Sequence, residues 1–482
     1  MPVPVISVTQ MRDWEQATWA AGQTEAEVIR RVGKCTALHA LRMTQAGDLI
    51  VILAGKGHNG ADARCAREHL TGRRVEALDV KEPAAEMPKL EALLALNPAL
   101  VVDGLFGIGL NRPLSPDWSQ FIQRINGTNT QVLAVDVPSG LNADTGEPQG
   151  GAVQASVTLT VGAPKTGLLT EAASQFTGRL EVASDTGLIP CPHTSEVNWT
   201  LPGDFAGYPP ARTATTHKGN CGHLAIVAGS LGYHGAAVLA ARGAQRAQPG
   251  LITLHTLEAV YHVVASQLQA VMVEPWAPGA KLIGSHNAAL IGPGLAAKDM
   301  PDEMKMLTRH LWRDSLMPVV VDASALDWLS LDSVPKNFPR VITPHPGEAA
   351  RLLRATPQQV QADRLTALRN VSKRFGNAWV VLKGHQTIIG RSTGEVYVNP
   401  SGNPHLAQGG SGDTLSGYLA GLLAQPEMQT DALKTIRYAV WQHGVAADYL
   451  QATRRNWVVE DLAQAIGMAQ SAPLDRGCFE RG

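Results

Sequence analysis

Leu49-Ile-Val-Ile-Leu-Ala-Gly-Lys-Gly-His-Asn-Gly-Ala-Asp62 joins six apolar residues to a glycine-rich turn, and Ala63-Arg-Cys-Ala-Arg-Glu-His-Leu70 continues it at helical spacing. An apolar run without alternation predicts a strand covered on both faces, as in a parallel sheet flanked by helices. The same pattern recurs at Leu100-Val-Val-Asp103, Val132-Leu-Ala-Val-Asp136, Leu224-Ala-Ile-Val-Ala228, Pro318-Val-Val-Val-Asp322 and Trp379-Val-Val-Leu-Lys383, with Ala- and Leu-rich helical stretches between them. The architecture expected is therefore α/β. Ligands of open α/β sheets bind at the carboxyl ends of strands, where these runs meet Gly or Asp.

The chain has 482 residues, more than one core usually organises, so two domains are expected. The strand-helix alternation lapses among Pro190, Pro192, Pro202, Pro209 and Pro210, which places the boundary near residue 207, with domains 1–207 and 208–482. Pro-rich loops inside one domain would look similar. The formal net charge is −1 and no long Lys/Arg run occurs, so neither nucleic acid nor an anionic membrane is expected as a partner. Met1 to Val8 lacks a basic start and a long apolar core, and no later run approaches a membrane span of ~18 apolar residues. The expectation is a cytoplasmic enzyme, homo-oligomeric, that acts on small molecules. Cysteines 35, 65, 191, 221 and 478 show no metal-ligand spacing and read as reduced thiols. The polar end after Ser471 is expected to be loosely held.

Near the C-terminus, Asn403-Pro-His-Leu-Ala-Gln-Gly-Gly-Ser-Gly-Asp413-Thr-Leu-Ser-Gly417 brings one carboxylate to the start of an apolar helix marked by Leu415, Leu419, Leu422 and Leu423. Unpaired N–H groups around Gly410, Ser411 and Gly412 would favour anionic oxygen there. Asp413 beside a bound phosphate makes sense as a base that accepts a hydroxyl proton during phosphoryl transfer. A glycine-containing helix start with Asp as a cap is the alternative.

In the N-terminal half, Gly55, Gly57 and Gly60 permit a tight strand-to-helix turn, by itself compatible with a connection that binds nothing. Two further loops follow the same plan: Asp103-Gly-Leu-Phe-Gly-Ile-Gly-Leu-Asn-Arg-Pro-Leu114 and Asp136-Val-Pro-Ser-Gly-Leu-Asn-Ala-Asp-Thr-Gly146. Asn59, Asp103 and Ser139 offer hard oxygen ligands suited to an alkali cation, and Asp136 is placed to exchange a proton with substrate. Both aspartates could instead be turn-formers or caps.

These three loops resemble the N-terminal family of NAD(P)HX epimerases, with motifs G-x-G-N-N-G-G-D-G, D-x-x-x-G-x-G and D-x-P-S-G. The Asp413 loop, with His217-Lys-Gly-Asn-Cys-Gly222, Ile291-Gly-Pro-Gly294, Thr343-Pro-His-Pro-Gly-Glu348 and Lys383-Gly-His-Gln-Thr387, resembles the ADP-dependent NAD(P)H-hydrate dehydratases of the ribokinase-like superfamily. Together the matches span nearly the whole chain. The resemblance implies a Rossmann-like α/β domain followed by a ribokinase-like α/β domain, acting on the substrates NADHX and NADPHX.

Carried over residue by residue, it implies substrate contact at His58, Asn59, Gly60, Ala61 and Asp62, at Gly107, Ile108, Gly109, Leu110, Asn111, Arg112 and Pro113, and at Asp136. Potassium (K+) would sit at Asn59, Asp103 and Ser139. In the second domain it implies substrate contact at Ala236, Gly294, His345 and Asp413. Nucleotide contact is implied at Lys383, Gly384, His385, Gln386 and Thr387 and at Gly410, Ser411 and Gly412, with ADP as co-substrate and Mg2+ accompanying it. Asp136 and Asp413 are the expected catalytic groups. His58, Ala61 and Ala63 depart from the epimerase pattern, the alanines replacing glycines, and added methyls there are expected to restrict the turn. Two other readings remain open: a ribokinase-like small-molecule kinase, and a nucleotide-binding N-terminal domain without epimerase activity.

Overall fold

The computed structural model describes residues 2–468 apart from 278, 280, 281, 283, 299, 332, 333 and 336. Cys478 and the polar end after Ser471 lie outside the described residues. The chain forms two compact units, Val3–Trp199 and a second from Thr200 onward. The boundary expected at 207 falls within the second unit, just after the short helical turn Pro202–Phe205. Among the described residues no helix is long and apolar enough to cross a membrane, and the cysteines form no disulfide.

The N-terminal unit is built on a wholly parallel sheet in the order Arg74–Asp79, Leu49–Ala54, Leu100–Gly104, Gln131–Val135, Val157–Val161, Arg179–Ala183. The two faces of the unalternated runs explain the pattern. Ile50, Ile52 and Val102 pack on one side with Met11, Trp14 and Val32, while Leu49, Val51 and Leu53 pack on the other with Leu90, Phe121 and Ile122. Each buried aliphatic side chain contributes about 1.5–3 kcal/mol relative to exposure, so neither face could be left to solvent. The strand order reverses between Leu49–Ala54 and Leu100–Gly104. That switch point opens a crevice at their carboxyl ends, where the first two glycine loops begin.

The second unit has the sheet order Val396–Val398, Ile388–Gly390, Trp379–Leu382, Arg340–Ile342, Val319–Val321, Ala288–Ile291, His223–Val227, Leu251–Thr256, Met272–Pro275. Pairing is parallel from Trp379–Leu382 to Met272–Pro275 and antiparallel through the other two strands. Two helices, His234–Ala247 and Ser411–Leu423, lie in close contact in its core. Small residues allow it. A Cβ on Gly417 would stand 1.9 Å from the Ala240 carbonyl oxygen, and one on Gly243 would stand 2.2 Å from that of Thr414.

This contact fixes the helix that begins at Ser411, and it can be tested. Ala would be favoured over Gly by about 1 kcal/mol in a free helix. Gly417→Ala is nevertheless expected to destabilise this unit by about 1–3 kcal/mol through overpacking against backbone that has no free rotamer. Urea unfolding checks this, and a stabilised variant would contradict the close-packed arrangement.

Candidate functional site

In the N-terminal unit a cavity of about 680 Å³ opens at the switch point. Its wall includes His58, Asn59, Asp62, the run Gly107 to Arg112, and Asp136. Gly60, Ala61 and Pro113 are not part of that wall. Gly60 instead shapes the turn, since a Cβ there would stand 2.1 Å from the Gly55 carbonyl oxygen. Ala61 and Ala63 lie within the helix His58–Ala66, where alanine is unstrained. The Ala63 methyl is buried in the core facing Gly104, so the restriction of the turn expected from these alanines does not arise there. His58 is exposed and pairs with Glu25 at 3.0 Å.

Asp103 is fully buried at the end of its strand. Its Oδ1 accepts from the Ser139 hydroxyl (2.6 Å) and the Leu105 N–H (3.2 Å), and its Oδ2 from the Ser139 N–H (2.8 Å). Burial raises its pKa to about 6 despite these bonds, and no cationic side chain is among the groups acting on it. Asn59 Nδ2 donates to the Phe106 carbonyl at 2.8 Å, while among the described residues its buried Oδ1 has no hydrogen-bond partner. The Ser139 hydroxyl also reaches the Phe106 carbonyl at 3.3 Å, so an orphaned amide oxygen, a hydroxyl and a buried carboxylate are gathered about one loop, a donor set that fits an alkali cation.

Asp136 follows the strand Gln131–Val135 with φ +63°, a left-handed conformation that is strained in a residue with a Cβ. The backbone there is tied by Asp136 N–H to the Leu159 carbonyl and Val137 N–H to the Val135 carbonyl, both at 2.8 Å. Its Oδ1 receives three donors: Lys165 Nζ (2.6 Å), the Val161 N–H (3.0 Å) and the Thr160 hydroxyl (3.2 Å). Lys165 is wholly buried and also donates to the Val161 carbonyl and the Thr160 hydroxyl oxygen. Sequence reading missed Lys165. A lone lysine after an apolar run, in Val161-Gly-Ala-Pro-Lys165, was the available signal. Glu15, also in the cavity wall, left no local signal.

In the second unit Gly410, at φ +94°, caps the helix Ser411–Leu423, and Asp413 stands in its first turn. Burial raises the Asp413 carboxyl to about pKa 7; Asp322 adds to the shift, Lys383 opposes it, and Glu348 adds again. Asp322 ends the strand Val319–Val321 and was not among the expected site residues. Its Oδ1 lies 2.9 Å from Lys383 Nζ, and Glu348 Oε2 lies 3.9 Å from the same ammonium. A Cβ on Gly412 would stand 3.1 Å from Lys383 Nζ. Lys383 is thus drawn inward to the head of the helix. The rest of its segment forms a turn, closed by the Thr387 hydroxyl donating to the Gly384 carbonyl at 3.1 Å, with Gln386 at φ +51°.

Ala236 and Gly294 come together: a Cβ on Gly294 would stand 2.9 Å from the Ala236 methyl. Their turn abuts the Asp322 backbone, whose carbonyl oxygen would be 1.8 Å from a Cβ on Gly292. His345 caps the helix Pro346–Leu353, its Nδ1 accepting from the Gly347 N–H (3.0 Å) and the Glu348 N–H (3.4 Å), while Glu348 Oε2 accepts from the His345 N–H (2.8 Å). An Nδ1 that accepts carries no proton, so the capping ring is neutral, and burial lowers its pKa in the same sense. Buried His443, another residue not anticipated, contacts the Ser411 carbonyl through Nε2 at 3.0 Å, and burial lowers its pKa to about 4. The neutral ring therefore donates to that carbonyl. The His217–Gly222 stretch reaches the other end of the Asp413 helix, where a Cβ on Gly222 would stand 1.9 Å from the Ala424 carbonyl oxygen.

The family described as NAD(P)H-hydrate dehydratase matches residues 224–469, and the family described as YjeF-related protein N-terminus matches residues 78–167. The bifunctional NAD(P)H-hydrate repair enzyme Nnr of Gloeobacter violaceus is 35% identical, covering 96% of this chain and 97% of that protein. That of Coxiella burnetii is 34% identical over 91% of this chain and 93% of its own length. Among solved structures, the ADP/ATP-dependent NAD(P)H-hydrate dehydratase of Bacillus subtilis, co-crystallised with ATP/Mg2+, is 30% identical with a TM-score of 0.50, covering 55% of this chain and 95% of that one. A ribokinase-like superfamily protein of Enterococcus faecalis, 24% identical, has a TM-score of 0.50 over 57% of this chain and 96% of that one, which bears on the fold alone.

Proposed function

The chain belongs to the bifunctional NAD(P)H-hydrate repair enzymes, joining an NAD(P)HX epimerase domain to an ADP-dependent NAD(P)HX dehydratase domain, and from that premise we propose which residues carry each reaction. The observation that carries the assignment is that Asp136 follows a strand end in the wall of the cavity and Asp413 stands in the first turn of the helix Ser411–Leu423.

In the dehydratase domain Asp413 takes the hydroxyl proton of the S hydrate as that oxygen attacks the terminal phosphorus of ADP. AMP leaves, and elimination of phosphate then restores the dihydronicotinamide. Phosphorylation converts a poor leaving group into a good one. The N–H groups around Gly410 to Gly412 stabilise the transferring phosphoryl, and Lys383 contributes its charge from beneath. Lys383 is one ammonium among three carboxylates, Asp322, Glu348 and Asp413. That acidic surplus suits Mg2+ brought with the nucleotide, which would supply positive charge to the phosphoryl transfer. Ala236, Gly294 and His345 would border the hydrated nicotinamide, and Gly384 to Thr387 the nucleotide.

In the epimerase domain the hydrate occupies the cavity, with Asp136 moving protons. K+ would be held by Asn59 Oδ1, Asp103 and Ser139, and its charge would offset that of the buried carboxylate. Potassium dependence is therefore expected of epimerisation alone, with sodium a poor substitute, and K+ should raise the melting temperature of this unit. Equal epimerisation rates in potassium and in a bulky organic cation would remove the assignment. The bifunctional reading is tested by supplying mixed R and S hydrates with ADP and following recovery of dihydronicotinamide absorbance. Complete recovery faster than spontaneous epimerisation is the expected result.

A further inference from the structure

The epimerase cavity contains carboxyl groups that their surroundings treat unequally. Asp136 is the carboxylate of a buried ion pair. Every donor found on it, from Lys165, Val161 and Thr160, lies on Oδ1, which leaves Oδ2 for a ligand in the cavity it lines. Asp62 lines the same cavity from the helix His58–Ala66 and is only 8% exposed. The charged groups that act on it are Asp136, Glu15 and Glu25, all acidic. Burial first, and then these neighbours, push its pKa well above the usual carboxylate range and so favour its protonated form. Glu15 is raised too, by burial and Asp136, with Lys165, His58 and Arg12 opposing. Two carboxyl groups in the wall of one cavity, one paired with a buried ammonium and the other buried with no cation among the charges acting on it, have the arrangement that separates a base from an acid.

We propose that Asp62 is the general acid of the epimerisation and Asp136 its base, with Lys165 a positioning residue that holds Asp136 by one oxygen. The inference rests on the reading of Asp136 as the group that moves protons. The hydroxyl of the substrate sits on the ring carbon beside nitrogen. As that C–O bond breaks, its electron pair goes to oxygen, which takes the Asp62 proton and leaves as water, while the nitrogen lone pair closes a C=N bond. A water oxygen then bonds to the same carbon from the other face, the C=N pair returns to nitrogen, and the water's surplus proton passes to Asp136. Proton exchange with solvent resets the pair.

The test is Asp62→Asn in the full chain, because an amide closely matches a protonated carboxyl in size and charge. R-to-S conversion is expected to lose about 10²-fold or more in kcat with KM little changed, while consumption of pure S hydrate with ADP stays normal. Wild-type epimerisation should decline on the alkaline side as Asp62 ionises, and that decline should be missing from the residual activity of Asp62→Asn. Asp62→Glu, which keeps a proton donor, should recover part of the rate and the alkaline decline; it also serves as the test if the Asn variant does not fold. In ¹⁸O-labelled water each epimerised molecule should gain one label. A near-wild-type kcat in Asp62→Asn, an Asp62→Glu no faster than the Asn variant, or epimerisation without label uptake would overturn the proposal. If Asp136→Asn is inactive while Asp62→Asn is not, only the acid assignment falls. If Asp136→Asn is fully active, the underlying reading falls with it.

Discussion

Asp413→Asn should abolish most ADP-dependent dehydration of the S hydrate, a loss of about 10²- to 10⁴-fold if general-base catalysis is the main contribution removed. Nucleotide binding should survive, because the N–H groups at the helix head and Lys383 remain. The pH profile gives an independent check. With its pKa raised to about 7 by burial and by Asp322, Asp413 is an ionised base only above that value, so dehydration should rise with pH through about 7 in the wild type. Stability moves the other way. A carboxyl whose folded pKa exceeds its unfolded value favours the folded state when protonated, and that contribution is lost as pH climbs through about 7. The Asn variant escapes this loss. It should therefore melt higher than wild type above about pH 8, with the difference shrinking toward about pH 5. Near-wild-type dehydration by the variant would sink the catalytic-base assignment.

Asp136→Asn should do the reverse, stopping R-to-S conversion while leaving dehydration of pure S hydrate intact. In a mixed sample the S share should be consumed rapidly and the remainder at the spontaneous epimerisation rate. Full rapid consumption would exclude Asp136 from the epimerase reaction. The substitution also removes the counter-charge of Lys165, which is 0% exposed. Breaking a buried pair in this way costs about 3–5 kcal/mol. Adding Lys165→Met removes the stranded ammonium and should recover much of that stability without restoring activity. If the double variant remains as unstable as the single one, the ion pair is not the source of the cost.

How far the sequence could be read is clearest in these same residues. The unalternated runs at Leu49, Leu100 and Val132 specified a doubly covered parallel sheet, because a strand buried on both faces has no position for a polar residue until it ends. The loops after those runs were legible for the same reason, and Asn59, Asp103, Asp136 and Ser139 stand where a polar group first becomes affordable. The helix head at Gly410 was marked by glycines and by the leucine spacing beyond it.

Other features had no local signature. Lys165 meets Asp136 only because the strand Val157–Val161 lies beside Gln131–Val135. Asp322 meets Lys383 through a sheet order in which Val319–Val321 and Trp379–Leu382 flank Arg340–Ile342. His345 reads identically as a ligand or as a cap, and only the positions of the Gly347 and Glu348 N–H groups give it the capping bonds. Periodicity and turn chemistry report what each residue needs from its immediate chain neighbours, so the sequence determined the elements and the ends at which chemistry could occur. Which charges share a cavity, and hence which carboxyl has its pKa raised, depends on burial and on contacts between distant segments, and the tertiary structure alone decided that.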